Sequence, residues 1–167
     1  MGTPYKKVAD RFLDKIKNDK KFFTYKGLTE EEIKEVVTKR TNYLLDNAVI
    51  ELEFKKNPLH NISFIDKNDD LNEFNFNLTL LEEDLISDLM VAKYYEEQLA
   101  GVNKRAEFVG EQGKTLFSLS SDRKTLIDLV AFVYNSFNVK LDEYNGRDRL
   151  TNSNIYMNEY GVYTEDE

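Results

Sequence analysis

The stretch from Thr29 to the residue before Pro58 constrains the fold more than any other. Thr29-Glu30-Glu31-Glu32 is a capping box, in which the threonine hydroxyl can accept from the Glu32 amide and the Glu32 carboxylate can reach back to the cap. Three acids in one first turn also suit the positive end of a helix dipole. Behind them Ile33, Val36, Val37, Thr41, Leu44, Leu45, Ala48 and Leu52 recur at three- and four-residue spacing, which predicts an amphipathic helix over 29–55. A helix of that length with one apolar face must bury the face against other helices.

The same period supplies the partners. Thr3-Pro4 reads as a helix start, with Thr3 as cap and Pro4 at the first helical position, followed by Tyr5, Val8, Ala9, Phe12, Leu13 and Ile16 over 4–17. Asn18 to Gly27 reads as a basic loop holding Phe22, Phe23 and Tyr25. Thr79, with Glu82 three residues on, caps a helix over 79–100, and Leu81, Leu85, Ile86, Leu89, Met90 and Tyr94, widened by Leu80 and Val91, make it apolar over more than half its surface. That helix belongs at the centre, and Gly101 reads as its stop. Ser120 or Ser121 caps a last helix over 121–140, with Leu126, Leu129, Val130, Val133, Tyr134 and Phe137 facing inward. Between the second and third helices, 57–78 lacks a helical period. Ile62 and Phe64 alternate, as do Phe74, Phe76 and Leu78, so two short strands around an Asp-Asn-rich turn are expected. The expectation is an all-α fold: a compact bundle of about four helices over 1–143, a possible small β-hairpin insert, and an extended C-terminal tail over 144–167. Phe12, Leu44, Leu89, Val130 and Phe137 are its expected core.

Composition narrows the function. The chain has 167 residues, 41% of them hydrophobic, enough for one domain with a core of its own. Lys plus Arg is 23 against 31 Asp plus Glu, a net charge of −8, which disfavours wrapping nucleic acid because phosphate neutralisation needs clustered cations. Cysteine is absent and His60 is the single histidine, so disulfides, thiolate sites and His-rich metal centres fall away. Met1 to Lys20 is mixed in charge, and no apolar run approaches the ~20 residues of a membrane span. The expectation is a soluble intracellular chain.

Several motifs resemble sites without their chemistry. Gly110-Glu111-Gln112-Gly113-Lys114-Thr115 ends like a phosphate loop, but Phe108 stands where the first glycine must be. Asp66, Asn68, Asp70 and Asn72 alternate like an EF-hand loop, but Leu71 replaces its glycine and Asn77 its bidentate acid. Glu82-Glu83-Asp84 lies in a first helical turn, where the dipole accounts for it; acid–base pairs normally face one another across a cleft. His60, beside Pro58 in a polar stretch, reads as a surface or boundary residue, and Lys6-Lys7 and Lys20-Lys21 as solvated ends. No catalytic, cofactor or metal residues are assigned, and no enzyme activity is expected.

The tail is the exception. Residues 144–167 have few aliphatics and cannot build a core, yet they carry Tyr144, Ile155, Tyr156, Met157, Tyr160 and Tyr163. Large side chains in a segment that cannot fold alone suggest ordering on a partner, and these six are the candidate partner-binding residues.

The order of elements resembles the head–tail connector (adaptor) proteins of tailed bacteriophages. The matching stretches are Val8-Ala9-Asp10-Arg11-Phe12-Leu13 within 5–16, Leu44-Leu45-Asp46-Asn47-Ala48, then Phe76-Asn77-Leu78-Thr79 leading into Glu82-Glu83, Leu85-Ile86 and Leu89-Met90-Val91, and Phe117-Ser118 before the last helix. Tyr94-Tyr95 stand where an aromatic commonly ends the family's central helix. The long polar insert and the tyrosine-bearing tail depart from the shortest members. The resemblance implies a virion structural protein made in the host cytoplasm. It would form a homo-oligomeric ring in the neck below the portal, contacting the portal protein and a downstream neck or tail-completion protein. DNA would pass through the lumen without specific binding, no membrane would be involved, and an acidic lining would repel phosphate. The family has no active-site residues to carry over. The alternative reading is a non-enzymatic intracellular adaptor or regulatory protein that acts through protein–protein binding as a monomer or dimer.

Overall fold

A computed structural model describes residues 2–111, 117–157 and 163–165, with side chains described for 2–104 and 121–155. The elements run α1 (Tyr5–Lys15), α2 (Lys20–Phe23), α3 (Glu30–Lys55), β1 (Lys67–Asn68), β2 (Glu73–Phe74), α4 (Leu80–Glu111), α5 (Phe117–Asn145), β3 (Ile155–Met157) and β4 (Tyr163–Glu165). The protein is a mostly helical bundle with a small antiparallel hairpin, β1–β2, as the periodicity requires, and a second two-stranded pair, β3–β4, in the expected tail. α4 is the axle: α1, α3 and α5 all pack on it. Phe12, Leu44, Leu89 and Phe137 are fully buried around it.

The two capping boxes form as read. Thr29 Oγ1 accepts from the Glu32 amide and the Glu32 carboxylate accepts from the Thr29 amide at 2.8 Å. At α4 the Thr79 amide donates to Glu82 at 2.6 Å and the Glu82 amide donates to Thr79 Oγ1.

Four local readings change. Thr3 does not cap α1; Pro4 occupies the cap position, and the buried Thr3 hydroxyl accepts from the Leu78 amide at 2.8 Å. The residues before α1 thus run along the insert, with the Thr3 amide on the Phe76 carbonyl and the Phe74 amide on the Thr3 carbonyl. Gly2 lies so close to the Phe74 carbonyl that any Cβ would collide with it. The expected loop 18–27 contains the single turn α2, because Asp19 caps it through the Lys21 amide and Phe22 is driven into the core edge-to-face against Phe12 and Tyr94. Gly101 does not stop α4, which continues through Glu111, and α5 starts at Phe117 rather than at Ser120 or Ser121. The two helices therefore extend past the rest of the bundle as a helical hairpin. Val130 is half-buried instead of fully buried, because α3 does not pack along α5 and reaches it only through side chains further on, where Lys55 lies over the rings of Tyr134 and Phe137. The insert strands are 67–68 and 73–74, offset from the expected alternation. Phe64 and Phe74 still reach the core, but Ile62 and Phe76 are only half-buried, and Asn68 turns the chain by accepting from the Asp70 and Leu71 amides.

Candidate interaction surface

The surface is shaped by what α4 holds beneath it. Its first turns carry Glu82, Glu83, Asp84, Ser87 and Asp88, and each acid is paired. The Glu83 carboxylate, almost wholly buried, accepts from Arg11 Nε at 2.9 Å and Lys7 Nζ at 3.3 Å. Lys15 reaches Asp84 at 2.7 Å, Asp88 at 2.6 Å and Ser87 Oγ at 2.7 Å. Lys140 comes from the opposite side to the same two aspartates, at 2.7 Å from Asp88. Glu82 has 0% exposure; it accepts from Arg149 at 2.7 and 2.9 Å and from the Tyr144 hydroxyl at 2.8 Å. The helix dipole alone does not account for these acids. They fasten α1, α5 and the segment after α5 to the central helix. Among the described residues no group of three or more potential ligands could hold a metal ion, and no helix is long and apolar enough to cross a membrane.

His60 is buried, contrary to the surface reading. Its ring stacks on Tyr144 at 4.3 Å, and Nε2 donates to the Tyr144 carbonyl at 3.0 Å, which fixes the proton on that nitrogen. Burial holds its pKa below the ordinary 6.5, against the pull of that hydrogen bond. Burial acts to raise the Glu82 pKa, but the Arg149 guanidinium, the Thr79 amide and the Tyr144 hydroxyl outweigh it and bring it below 4.5; Lys140 and Lys15 do the same for Asp84. Both signs act in one direction. A His harder to charge in the fold, and carboxylates harder to protonate there, stabilise at neutral pH and cease to do so in acid. The urea midpoint is therefore expected to be flat between about pH 7 and pH 9, above which the buried tyrosines Tyr94 and Tyr144, harder to ionise in the fold, lower it. It should begin to fall near the ordinary histidine value of 6.5 and fall further below 4.5 as Glu82 and then Asp84 protonate. A midpoint that rises on acidification contradicts this assignment.

Of the six tail residues, Tyr144 is corrected. It lies in the last turn of α5 with its ring in the core, so it is a structural residue and is not available to a partner. The boundary at 143/144 cuts through that turn. The segment after it is also fastened: Asn145 binds the Asn57 amide and the Lys55 carbonyl, and Arg149 binds the Asn77 carbonyl as well as Glu82. Ile155, half-buried, Tyr156 and Met157 form β3, which pairs antiparallel with β4, where Tyr163 sits opposite Met157. Neither strand packs extensively on a helix. Tyr160 lies outside the described residues, as do the side chains of Tyr156, Met157 and Tyr163 and the motif residues 112–115.

Residues that the periodicity passed over form the rest of the surface. On α3, Tyr43, Ile50 and Phe54 lie off the buried stripe and are exposed, Phe54 by 85%. With Lys93, Glu97 and Ala100 of α4 they line one groove. On α5, Phe132 is 70% exposed and lines a second groove with Leu129 and Ser136, facing Asp88, Val91 and Tyr95 of α4. Residues 88 and 97 are two and a half helical turns apart, so the grooves lie on opposite sides of α4. The signal was present in the sequence: large apolar residues outside a stripe already long enough to fill the core. Comparison with protein-family models, with curated proteins and with solved structures finds no match.

Proposed function

We propose that this chain is a non-enzymatic structural protein that assembles with copies of itself, and that its place is the neck of a tailed phage, as a ring between the portal protein and a downstream neck or tail-completion protein. The observation that carries the reading is the pair of apolar grooves on opposite sides of α4, each with an exposed phenylalanine. A two-fold dimer uses one patch twice, whereas two different patches on opposite sides join head to tail and generate a ring when the rotation closes. The neck assignment adds the resemblance in element order, and the acidic net charge suits a lumen through which DNA slides. The alternative, an intracellular adaptor acting as a monomer or dimer, draws on the same exposed residues and differs in stoichiometry.

Native mass spectrometry of the chain, alone and mixed with a phage portal ring, tests both. The expected result is a closed oligomer, formed alone or on the portal, that Phe54→Asp or Phe132→Asp abolishes while leaving the helical circular dichroism unchanged. A monomer or dimer under every condition refutes the ring.

A further inference from the structure

A third concavity lies between α1 and α3. Its volume is about 480 Å³, within the range of sites that take a ligand or a peptide segment. Ala9 and Leu13 of α1 and Val37 of α3 give it an apolar wall, and Thr41 lies in the same wall. Thr41 is only 4% exposed, and its hydroxyl has no hydrogen-bond partner. That is unusual for a helical threonine, which normally donates to the carbonyl one turn back. Thr38, one turn earlier on the same helix, does so to the Lys34 carbonyl at 2.8 Å. A buried hydroxyl without a partner is costly and calls for one. The side-chain amides of Asn42 and Asn72, also lining the cleft, have no partner among the described residues. Lys34 at the rim pairs with no acid among them, whereas the other rim lysine, Lys6, is paired to Asp10 at 2.6 Å.

An apolar wall, a row of unused hydrogen-bonding groups and a free cation together describe a receptor for a peptide. An entering peptide must bury apolar side chains, satisfy its own amides and place an acid near Lys34. One segment of the chain has that chemistry. Residues 155–167, Ile-Tyr-Met-Asn-Glu-Tyr-Gly-Val-Tyr-Thr-Glu-Asp-Glu, alternate large apolar groups with acids and end in three acids among four residues. The β3–β4 pair within it is two-stranded and without extensive packing on a helix, and an isolated pair of that kind is marginal in water.

We propose that the cleft between α1 and α3 is the docking site for the C-terminal segment, residues 155–167, of a second copy of this chain. The inference rests on the reading of the chain as self-assembling, but not on the neck or on the portal. Thr41 and the two asparagines bind the peptide amides, Ala9, Leu13 and Val37 receive the apolar side chains, and Lys34 faces the acids.

The test uses the full chain and a fluorescein-labelled synthetic peptide of residues 154–167, followed by anisotropy at low salt. Saturable binding is expected. Lys34→Glu, a change at an exposed and unpaired residue, should weaken it about fivefold or more. A peptide with Glu159 and Glu165 replaced by lysine should restore binding to that variant. Thr41→Val should also weaken binding while raising the melting temperature, because it removes an unpartnered hydroxyl; a purely structural threonine would change the second and not the first. No saturable binding overturns the proposal, as does binding indifferent to both Lys34→Glu and Thr41→Val. Dodecanoate binding that Lys34→Glu abolishes, with no peptide binding, also overturns it and assigns the cleft to a small amphiphilic acid. Peptide binding without any ring by mass spectrometry leaves the cleft standing and removes only the head-to-tail assembly.

Discussion

Arg149→Met is expected to destabilise the protein by about 3–5 kcal/mol, because it leaves the Glu82 carboxylate buried without its counter-charge. The guanidinium supplies two of the four hydrogen bonds on that carboxylate, and Glu82 itself has no exposed surface. Glu82→Leu alone should cost a similar amount, since it strands the guanidinium, the Tyr144 hydroxyl and the Thr79 amide. The double variant Glu82→Leu/Arg149→Met should recover much of the loss, because replacing both members of a buried pair by apolar groups is often close to neutral. Chemical denaturation of the four proteins closes the cycle. Additive losses would mean that the two side chains do not act on each other, and the buried pair would then not be what holds the post-helical segment down.

Leu89→Ala should cost about 2–5 kcal/mol, the range for a leucine removed from a core that cannot collapse around the gap. Leu89 is fully buried on α4, the helix on which α1, α3 and α5 all pack. Val130→Ala should cost about 1 kcal/mol or less, since the site is half-buried and already open to water. The contrast matters more than either value. Equal losses would mean that the outer α4–α5 hairpin is packed as densely as the body, and would require a further element over it.

The helices were legible because each has one strongly apolar stripe and, for α3 and α4, a capping box that only a helix start satisfies. The ends of α4 and α5 were not. Gly101 looks like a stop because glycine tolerates the left-handed cap conformation, but its helical cost, ~1 kcal/mol relative to alanine, is small beside the packing that α4 and α5 give each other. Val130 was misjudged for the same reason: periodicity says which face turns inward, not whether a third element covers it. His60 and Tyr144 were misplaced because their burial depends on meeting each other across 84 positions of sequence. The acids of α4 were recognised, but their partners lie on α1, on α5 and beyond it, and no local pattern joins them. For the surface, the tail tyrosines stand out by composition, whereas nothing local in the sequence marks the cleft between α1 and α3, because Thr41 fits the buried stripe and its unpartnered hydroxyl is a feature of the packed helices.

The pairing of Glu82 with Arg149 also sets an order on the making of the molecule. Synthesis runs from the N-terminus, so the first turn of the central helix leaves the ribosome 67 residues before its counter-charge. Until then Glu82 can avoid stranding only by staying hydrated or by taking up a proton, and either keeps the start of α4 from closing over it. α1 and the insert are held to that same end, through Arg11 on Glu83 and Thr3 on the Leu78 amide. The start of the central helix thus reaches its final surroundings only once α5 and the segment that follows it are available to cover it.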